Sequence, residues 1–146
     1  MKKVNLKLWM LALASFCFLT NLNAQNMKKE IEATISSYAK GGDNHDTRLL
    51  QIVLHEDYRL VWNDKTKPDL FIADKATFIG NIEKKVWGGD KRKVDIKITE
   101  VFDDNNALAR VTMTGAKADF ESVYTLVRQG NEWKILHELV TAKFKQ

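Results

Sequence analysis

Five residues of this chain have side chains suited to a small-molecule site: Tyr38, Trp62, Trp87, Tyr124 and His137. Tyr38 lies on the apolar face of a predicted helix, where its hydroxyl either hydrogen-bonds a ligand or finds a partner in the core. Trp62 and Trp87 would form an aromatic wall for a flat ligand. Tyr124 and His137 would orient a polar group on that ligand if both face the same pocket.

His137 shares a predicted strand face with Trp133, Ile135 and Leu139. A single histidine on an apolar face is more often a hydrogen-bonded core residue than a base or a ligand, so the core role is the preferred interpretation. No two histidines have the His-x-His or His-x-x-x-His spacing of metal ligands. We expect neither a metal nor a cofactor.

Residues 1–24 are predicted to be a signal peptide. Lys2, Lys3 and Lys7 precede an apolar run, residues 8–19, that is too short to span a membrane as a helix. Cleavage is expected after Ala24, which leaves residues 25–146 as one domain without a stable membrane anchor. We expect this domain in the periplasm or outside the cell.

The charge balance argues against nucleic acid as a partner. The full chain carries a net charge of +4, and the three lysines of the leader supply most of that excess. The mature domain is therefore nearly neutral, whereas nucleic acids and anionic membranes require a clustered positive field. The only cysteine, Cys17, lies in the leader, so the exported domain must gain its stability from packing rather than disulfides.

Apolar residues recur at helical spacing in the first half of the chain and predict three helices. The first begins at residue 27, and Gly41 with Gly42 is expected to end it. The second is short, and either Asp43 or Asp46 would cap its N-terminus.

The third predicted helix follows two brief strands, residues 58–62 and 70–72. Asp74 is the expected N-cap, and the glycine pair at positions 88 and 89 closes the helix. Its apolar face comprises Phe78, Ile79, Ile82 and Val86.

From residue 93 onward the apolar period changes to two, which predicts four long strands joined by short turns. The inward residues of the first strand are Val94, Ile96, Ile98 and Phe102, and those of the second are Ala107, Ala109, Val111 and Met113. The last two strands, residues 119–128 and 133–143, are apolar on both faces and should be central. The predicted class is α+β, with helices on one face of a bent, mostly antiparallel sheet.

Several short motifs, in this order and spacing, resemble the nuclear transport factor 2-like (SnoaL-like) superfamily, and within it exported bacterial proteins labelled putative lumazine-binding. They are Tyr38, Gly41-Gly42-Asp43, Asp46, Leu54-His55, Tyr58-Arg59-Leu60-Val61, Gly88-Gly89-Asp90-Lys91-Arg92 and Gly130-Asn131-Glu132-Trp133-Lys134-Ile135. The resemblance covers nearly all of residues 26–140. It implies a cone-shaped fold in which three N-terminal helices and a curved sheet enclose a pocket.

Steroid isomerases of this superfamily are similar at one further point, a tyrosine eight residues before an aspartate, as Tyr38 and Asp46 are here. Those enzymes also need a carboxylate base on the following strand. The same spacing places Trp62 at that position, followed by Asn63 and Asp64. No complete catalytic set is therefore visible.

Three hypotheses follow, since a fold alone does not determine an activity. The preferred one is an exported module that binds a small apolar or flat heterocyclic ligand in an aromatic pocket. The second is an isomerase, dehydratase or hydrolase that uses Tyr38 with Asp64, Asp119 or His137 as base. The third is a homodimerising interaction module whose pocket is filled by its own side chains.

Overall fold

The computed structural model describes residues 6–63 and 69–145, without the side chains of residues 6–23 and of residue 98. These residues form α1 (Leu6–Asn44), α2 (Thr47–Val53), β1 (Leu54–Trp62), β2 (Phe71–Asp74), α3 (Lys75–Glu83), β3 (Lys93–Phe102), β4 (Asn106–Thr114), β5 (Ala118–Gln129) and β6 (Glu132–Phe144). Within this described part, no helix has the length and apolar character that crossing a membrane requires. The leader and its cleavage after Ala24 stay predictions.

All six strands belong to one sheet with the order β2-β1-β6-β5-β4-β3. β1 and β6 run parallel, and the other neighbouring pairs are antiparallel. β5 and β6 lie in the middle of the sheet, as their apolar residues on both faces predicted. The α+β class is confirmed, with three helices packed on a mostly antiparallel sheet and the core between the two layers.

Helix α1 does not end at the glycine pair, so that prediction is wrong. The helix continues to Asn44, and His45 follows it with a left-handed φ of 53°. The glycines serve close packing instead. A Cβ at Gly41 would lie 2.8 Å from the Leu50 side chain, and a Cβ at Gly42 would lie 2.8 Å from a guanidinium nitrogen of Arg92.

The other two helices begin at aspartate caps. Asp46 accepts hydrogen bonds from two backbone N–H groups of α2, and the Asp74 carboxylate accepts one from Thr77 N at 2.8 Å. α3 ends at Glu83, with Lys85 in the left-handed region at φ 58°. Val86 was predicted on the buried face of α3, but it follows the helix and is 65% exposed.

One extra residue in β6 changes which side chains face inward. Ile135 pairs with Leu126, and His137 pairs with Thr125, so Leu136 has no partner in the ladder and forms a bulge. A bulge shifts the alternation by one position. Beyond it the inward residues of β6 are therefore even-numbered.

A similar bulge at Lys97 shifts the alternation in β3. Val94 and Ile96 pack against the core before the bulge, and Val101 does so after it. Phe102 was predicted to share their face, and this is wrong because the shift leaves it 45% exposed. The inward set of β4 shows no shift and is confirmed, with its four predicted residues all buried.

Lys75, in the first turn of α3, is a cap for the preceding helix. Its side chain is buried at 7% exposure, and the ammonium donates to the carbonyl oxygens of Gln51 at 3.3 Å and Leu54 at 3.0 Å. It also pairs with Glu56 at 3.0 Å. These carbonyls terminate α2, where a helix has unsatisfied acceptors and favours a cation.

We predict that Lys75→Met lowers the free energy of unfolding by about 1–3 kcal/mol, because the buried carbonyl of Leu54 and the partly buried carbonyl of Gln51 lose their donor. Lys84→Met is the matched control, since Lys84 is exposed at the end of the same helix. Urea denaturation of both variants measures the difference. Equal stabilities of the two variants would contradict the cap.

Candidate ligand-binding site

A cavity of about 450 Å³ lies between the helix layer and the inner face of the sheet. Aromatic side chains from both layers line it: Trp62, Phe78, Trp87, Phe120 and Phe144. Phe78 and Trp87 form a pair on the helix side with ring centroids 5.8 Å apart, and Trp62 and Phe144 form one at 5.9 Å on the sheet side. A volume of this size suits a small organic molecule.

The polar floor of the cavity is Glu138, which the β6 bulge turns inward. Its side chain is 4% exposed and lines the cavity together with Tyr38. The two carboxylate oxygens accept four hydrogen bonds, all from hydroxyl groups. Ser122 and Tyr124 donate to Oε1 at 2.8 Å each, and Tyr38 and Tyr58 donate to Oε2 at 2.5 and 2.9 Å.

These five residues form what we call the Glu138 cluster, and it contains every tyrosine of the chain. Tyr38 comes from α1 and Tyr58 from β1, at a point where the register between β1 and β6 is irregular. Ser122 and Tyr124 are two positions apart on β5 and therefore face the same side. Tyr124 is the direct partner of Glu138 in the ladder.

Burial and the neighbouring carboxylate change the acidity of all three tyrosines. Burial is the main cause that raises the pKa of Tyr38, Tyr58 and Tyr124 well above the usual value of 10.0, and the Glu138 charge raises these pKa values further. The phenols therefore stay protonated as donors over the ordinary pH range.

Arg92 connects the cavity wall to the end of α1. Its Nε donates to Asp43 Oδ1 at 2.6 Å, and a terminal nitrogen donates to the carbonyl of Ala39 at 3.1 Å. The guanidinium lies over the Phe120 ring, 5.5 Å from its centroid. Asp43, one of two predicted caps for α2, serves this ion pair instead, and Asp46 is the cap.

The five residues predicted from the sequence fall into three places. Tyr38, Trp62 and Trp87 line the cavity. Tyr124 belongs to the Glu138 cluster but does not line the cavity. His137 lies on the opposite face of the sheet, exposed, with Nδ1 3.2 Å from the Thr125 hydroxyl.

The prediction that His137 and Leu139 share a strand face with Trp133 and Ile135 is therefore wrong. Leu139 is 51% exposed, whereas Glu138 and Val140 are buried. Strict alternation placed His137 on the same face as Ile135, and the bulge at Leu136 turns it to the opposite face. The missed functional residue is Glu138, whose only signal in the sequence is a carboxylate inside a strand that is apolar on both faces.

Neither Asp119 nor His137 provides a base to the cavity. Asp119 forms an ion pair with Lys145 at 2.8 Å, and neither side chain lines the cavity. Asp64, the third candidate base, lies outside the described residues. Among the described residues, no group of three or more His, Cys, Asp or Glu side chains could hold a metal ion.

The family model described as putative lumazine-binding matches residues 26–139. The chain belongs to the putative lumazine-binding family. None of the curated proteins matches this sequence.

Solved structures confirm the fold of this putative lumazine-binding domain. An NTF2-like protein of unknown function from Silicibacter pomeroyi is 15% identical with a TM-score of 0.71, covering 84% of this chain and 98% of that one. One from Shewanella baltica is 15% identical with a TM-score of 0.70, covering 80% and 93%. An NTF2-like protein from Cytophaga hutchinsonii is 14% identical with a TM-score of 0.64, covering 80% of this chain and 98% of that one. At these identities the likeness concerns the fold alone.

We predict that no tyrosine of the native protein ionises as the pH rises past 10.0, because all three pKa values are raised. The pKa of each tyrosine is higher in the folded than in the unfolded state. The contribution of that tyrosine to stability is therefore complete below its unfolded pKa and is lost as the pH rises toward its folded pKa. Above the unfolded pKa, each tyrosine lowers the free energy of unfolding by up to about 1.4 kcal/mol for every further pH unit. The near-ultraviolet absorbance of tyrosinate should therefore appear together with unfolding measured by circular dichroism.

Phe102→Tyr supplies an internal reference for this titration. Position 102 is the last residue of β3, and its side chain is exposed. Its added phenol should ionise in the folded protein. A native tyrosine that titrates beside it, before unfolding, would contradict the cluster.

We predict that Glu138→Gln lowers the free energy of unfolding by about 1–3 kcal/mol. The substitution replaces one carboxylate oxygen by an NH₂ group, which cannot accept the hydrogen bonds that the hydroxyl groups donate to that oxygen. Glu121→Gln, on the outer face of β5, is the control and should leave stability nearly unchanged. Guanidinium denaturation gives both values. A neutral Glu138→Gln would show that the four hydrogen bonds contribute little.

Proposed function

We propose that this domain is exported and binds a small, flat heterocyclic molecule in its cavity, without catalysing a reaction. The observation that carries the proposal is the cavity of about 450 Å³ between two aromatic surfaces, with Tyr38 and Glu138 of the Glu138 cluster in its lining. A flat ring system can stack on such surfaces while one edge meets the polar floor. The family description, putative lumazine-binding, supports a heterocycle of this kind.

The enzymatic alternative has less support from the site. Tyr38 was the expected hydrogen-bond donor to a reacting group, but its proton is directed to Glu138 Oε2. Two carboxylate residues line the cavity, Glu138 and Asp90. Four hydroxyls already occupy the acceptor positions of Glu138, and Asp90 accepts hydrogen bonds from the backbone N–H groups of Ala116 and Lys117. A general base needs a free lone pair within reach of its substrate.

The alternative of a self-filled pocket is disfavoured by the open cavity. An interface on the outer face of the sheet, where Leu139 is exposed, is a separate matter, and homodimerisation there stays a prediction. Export to the periplasm or the medium likewise forms part of the proposal, supported by the leader-like residues 1–24.

We predict that Ala142→Trp abolishes ligand binding by occupying the cavity. Ala142 lines the cavity on the inner face of β6, whereas Leu139 points to the outer face of the same strand. Leu139→Trp is therefore the control and should bind like the native protein. Thermal shift against lumazine, flavins and steroids provides the measurement, since a ligand at a hundred times its Kd stabilises the fold by about 2.7 kcal/mol.

Two outcomes would count against the proposal. Absence of stabilisation by any flat heterocycle in the panel would contradict the binding function. Binding that survives Ala142→Trp but is lost in Leu139→Trp would place the ligand on the outer face.

A further inference from the structure

Glu138 is a buried carboxylate that faces a cavity without a cation beside it. Among the described residues, no Lys, Arg or His nitrogen lies within 4.0 Å of its oxygens. Buried carboxylates in proteins are usually paired with a positive side chain. Here hydroxyl donors take that place, so the floor of the cavity retains an uncompensated negative charge.

The hydrogen-bond count determines what the floor can offer a ligand. A carboxylate has about four lone-pair positions, and four hydroxyl protons occupy them. Each hydroxyl has only one proton, so the cluster has none left to donate into the cavity. Tyr38 lines the cavity, and its phenol oxygen still has lone pairs that accept hydrogen bonds.

The floor is therefore an acceptor surface. A ligand carbonyl or carboxylate placed there would meet a negative charge and no donor, which is costly in a buried site. A ligand N–H would donate to the Tyr38 oxygen and be attracted by the Glu138 charge behind it. Hydrogen bonds in such a chain polarise and strengthen one another.

The cationic residues of the cavity lie elsewhere on its wall. Lys85 follows α3, Arg92 precedes β3 and Lys117 precedes β5. Arg92 is engaged with Asp43 and the Ala39 carbonyl. The Asp90 carboxylate on this part of the wall accepts hydrogen bonds from the backbone N–H groups of Ala116 and Lys117, so it too is engaged within the protein.

Building on the proposed function, we propose that the cavity selects heterocycles with an N–H edge and binds them with that edge on Tyr38 and Glu138. The ligand class is a flat ring system with a ring N–H, held edge-inward between the aromatic surfaces. Heterocycles whose ring nitrogens carry alkyl groups, and flat molecules with only carbonyl or carboxylate groups at their edge, bind weakly.

Lumazine and 1,3-dimethyllumazine are suitable probes, because methylation removes both ring N–H groups and keeps the ring system. Protein purified from cells expressing the full chain should bind lumazine at least about tenfold more tightly, the value of one hydrogen bond to a charged network. Titration calorimetry or lumazine fluorescence measures both constants. This comparison needs no variant and so does not depend on the folding of one.

Two matched variants then locate the preference. Tyr38→Phe and Tyr58→Phe each remove a donor to the same oxygen of Glu138, but only Tyr38 lines the cavity. Tyr38→Phe removes the phenol acceptor and frees a lone pair of Glu138 Oε2, so it should change the affinity for lumazine about tenfold and that for the dimethyl compound much less. Tyr58→Phe should keep the preference for lumazine. Circular dichroism establishes that both variants are folded.

The outcomes separate the two proposals. If neither probe binds, the proposed binding of heterocycles of this kind is contradicted. If both probes bind equally to the native protein, the binding function stands and the N–H selection is wrong. If Tyr38→Phe changes the binding of the dimethyl compound but not that of lumazine, the preference is steric, and the acceptor role of Tyr38 is excluded.

Discussion

The burial of one carboxylate, that of Glu138, is the constraint on which the arrangement of this domain depends. Removing such a charge from water costs several kcal/mol, and charge-assisted hydrogen bonds must offset that cost. The donors lie 14, 16, 80 and 100 positions away in the chain. Helix α1, strand β1 and strand β5 must therefore all be in place before the carboxylate is satisfied. A packing in which any one of them is displaced leaves a buried charge short of donors, which penalises alternative arrangements of the same elements.

Irregular pairing of two strands makes this cluster possible. The extra residue Leu136 turns Glu138 inward and His137 outward, so one bulge exchanges an imidazole for a carboxylate on the cavity side. At the same level of the sheet, the register of β1 against β6 shifts between Leu54 and Arg59, and Tyr58 lies in that interval. β-bulges commonly re-aim side chains next to functional sites. Two departures from regular pairing thus bring a donor and its acceptor together.

Local signals in the sequence predicted the elements well, because their causes are local. An aspartate before an apolar period marks a helix start, as Asp74 does, and the unbroken alternation of β4 gave its inward residues correctly. The glycines of α1 led to a wrong prediction of the end of the helix. Their role is close packing against Leu50 and Arg92, which only the tertiary structure reveals. The bulges in β3 and β6 made the predicted strand faces wrong for the same reason. A register shift depends on the partner strand, so alternation within β6 alone could not identify Glu138 as the inward residue.

The floor and the walls of the cavity are built from parts of unequal rigidity. Glu138 and Tyr124 lie on β6 and β5, whose backbones pair with a neighbour on each side. Three of the five aromatic wall residues lie at the ends of elements: Trp62 ends β1, Trp87 follows α3 and Phe144 ends β6. Residues at element ends open locally at lower free energy than central strands. Under the proposed binding function, a ligand would enter by displacement of these three side chains while the floor keeps its geometry. Substitutions at these positions would then change which ligand shapes fit without altering the acceptor chemistry at the floor.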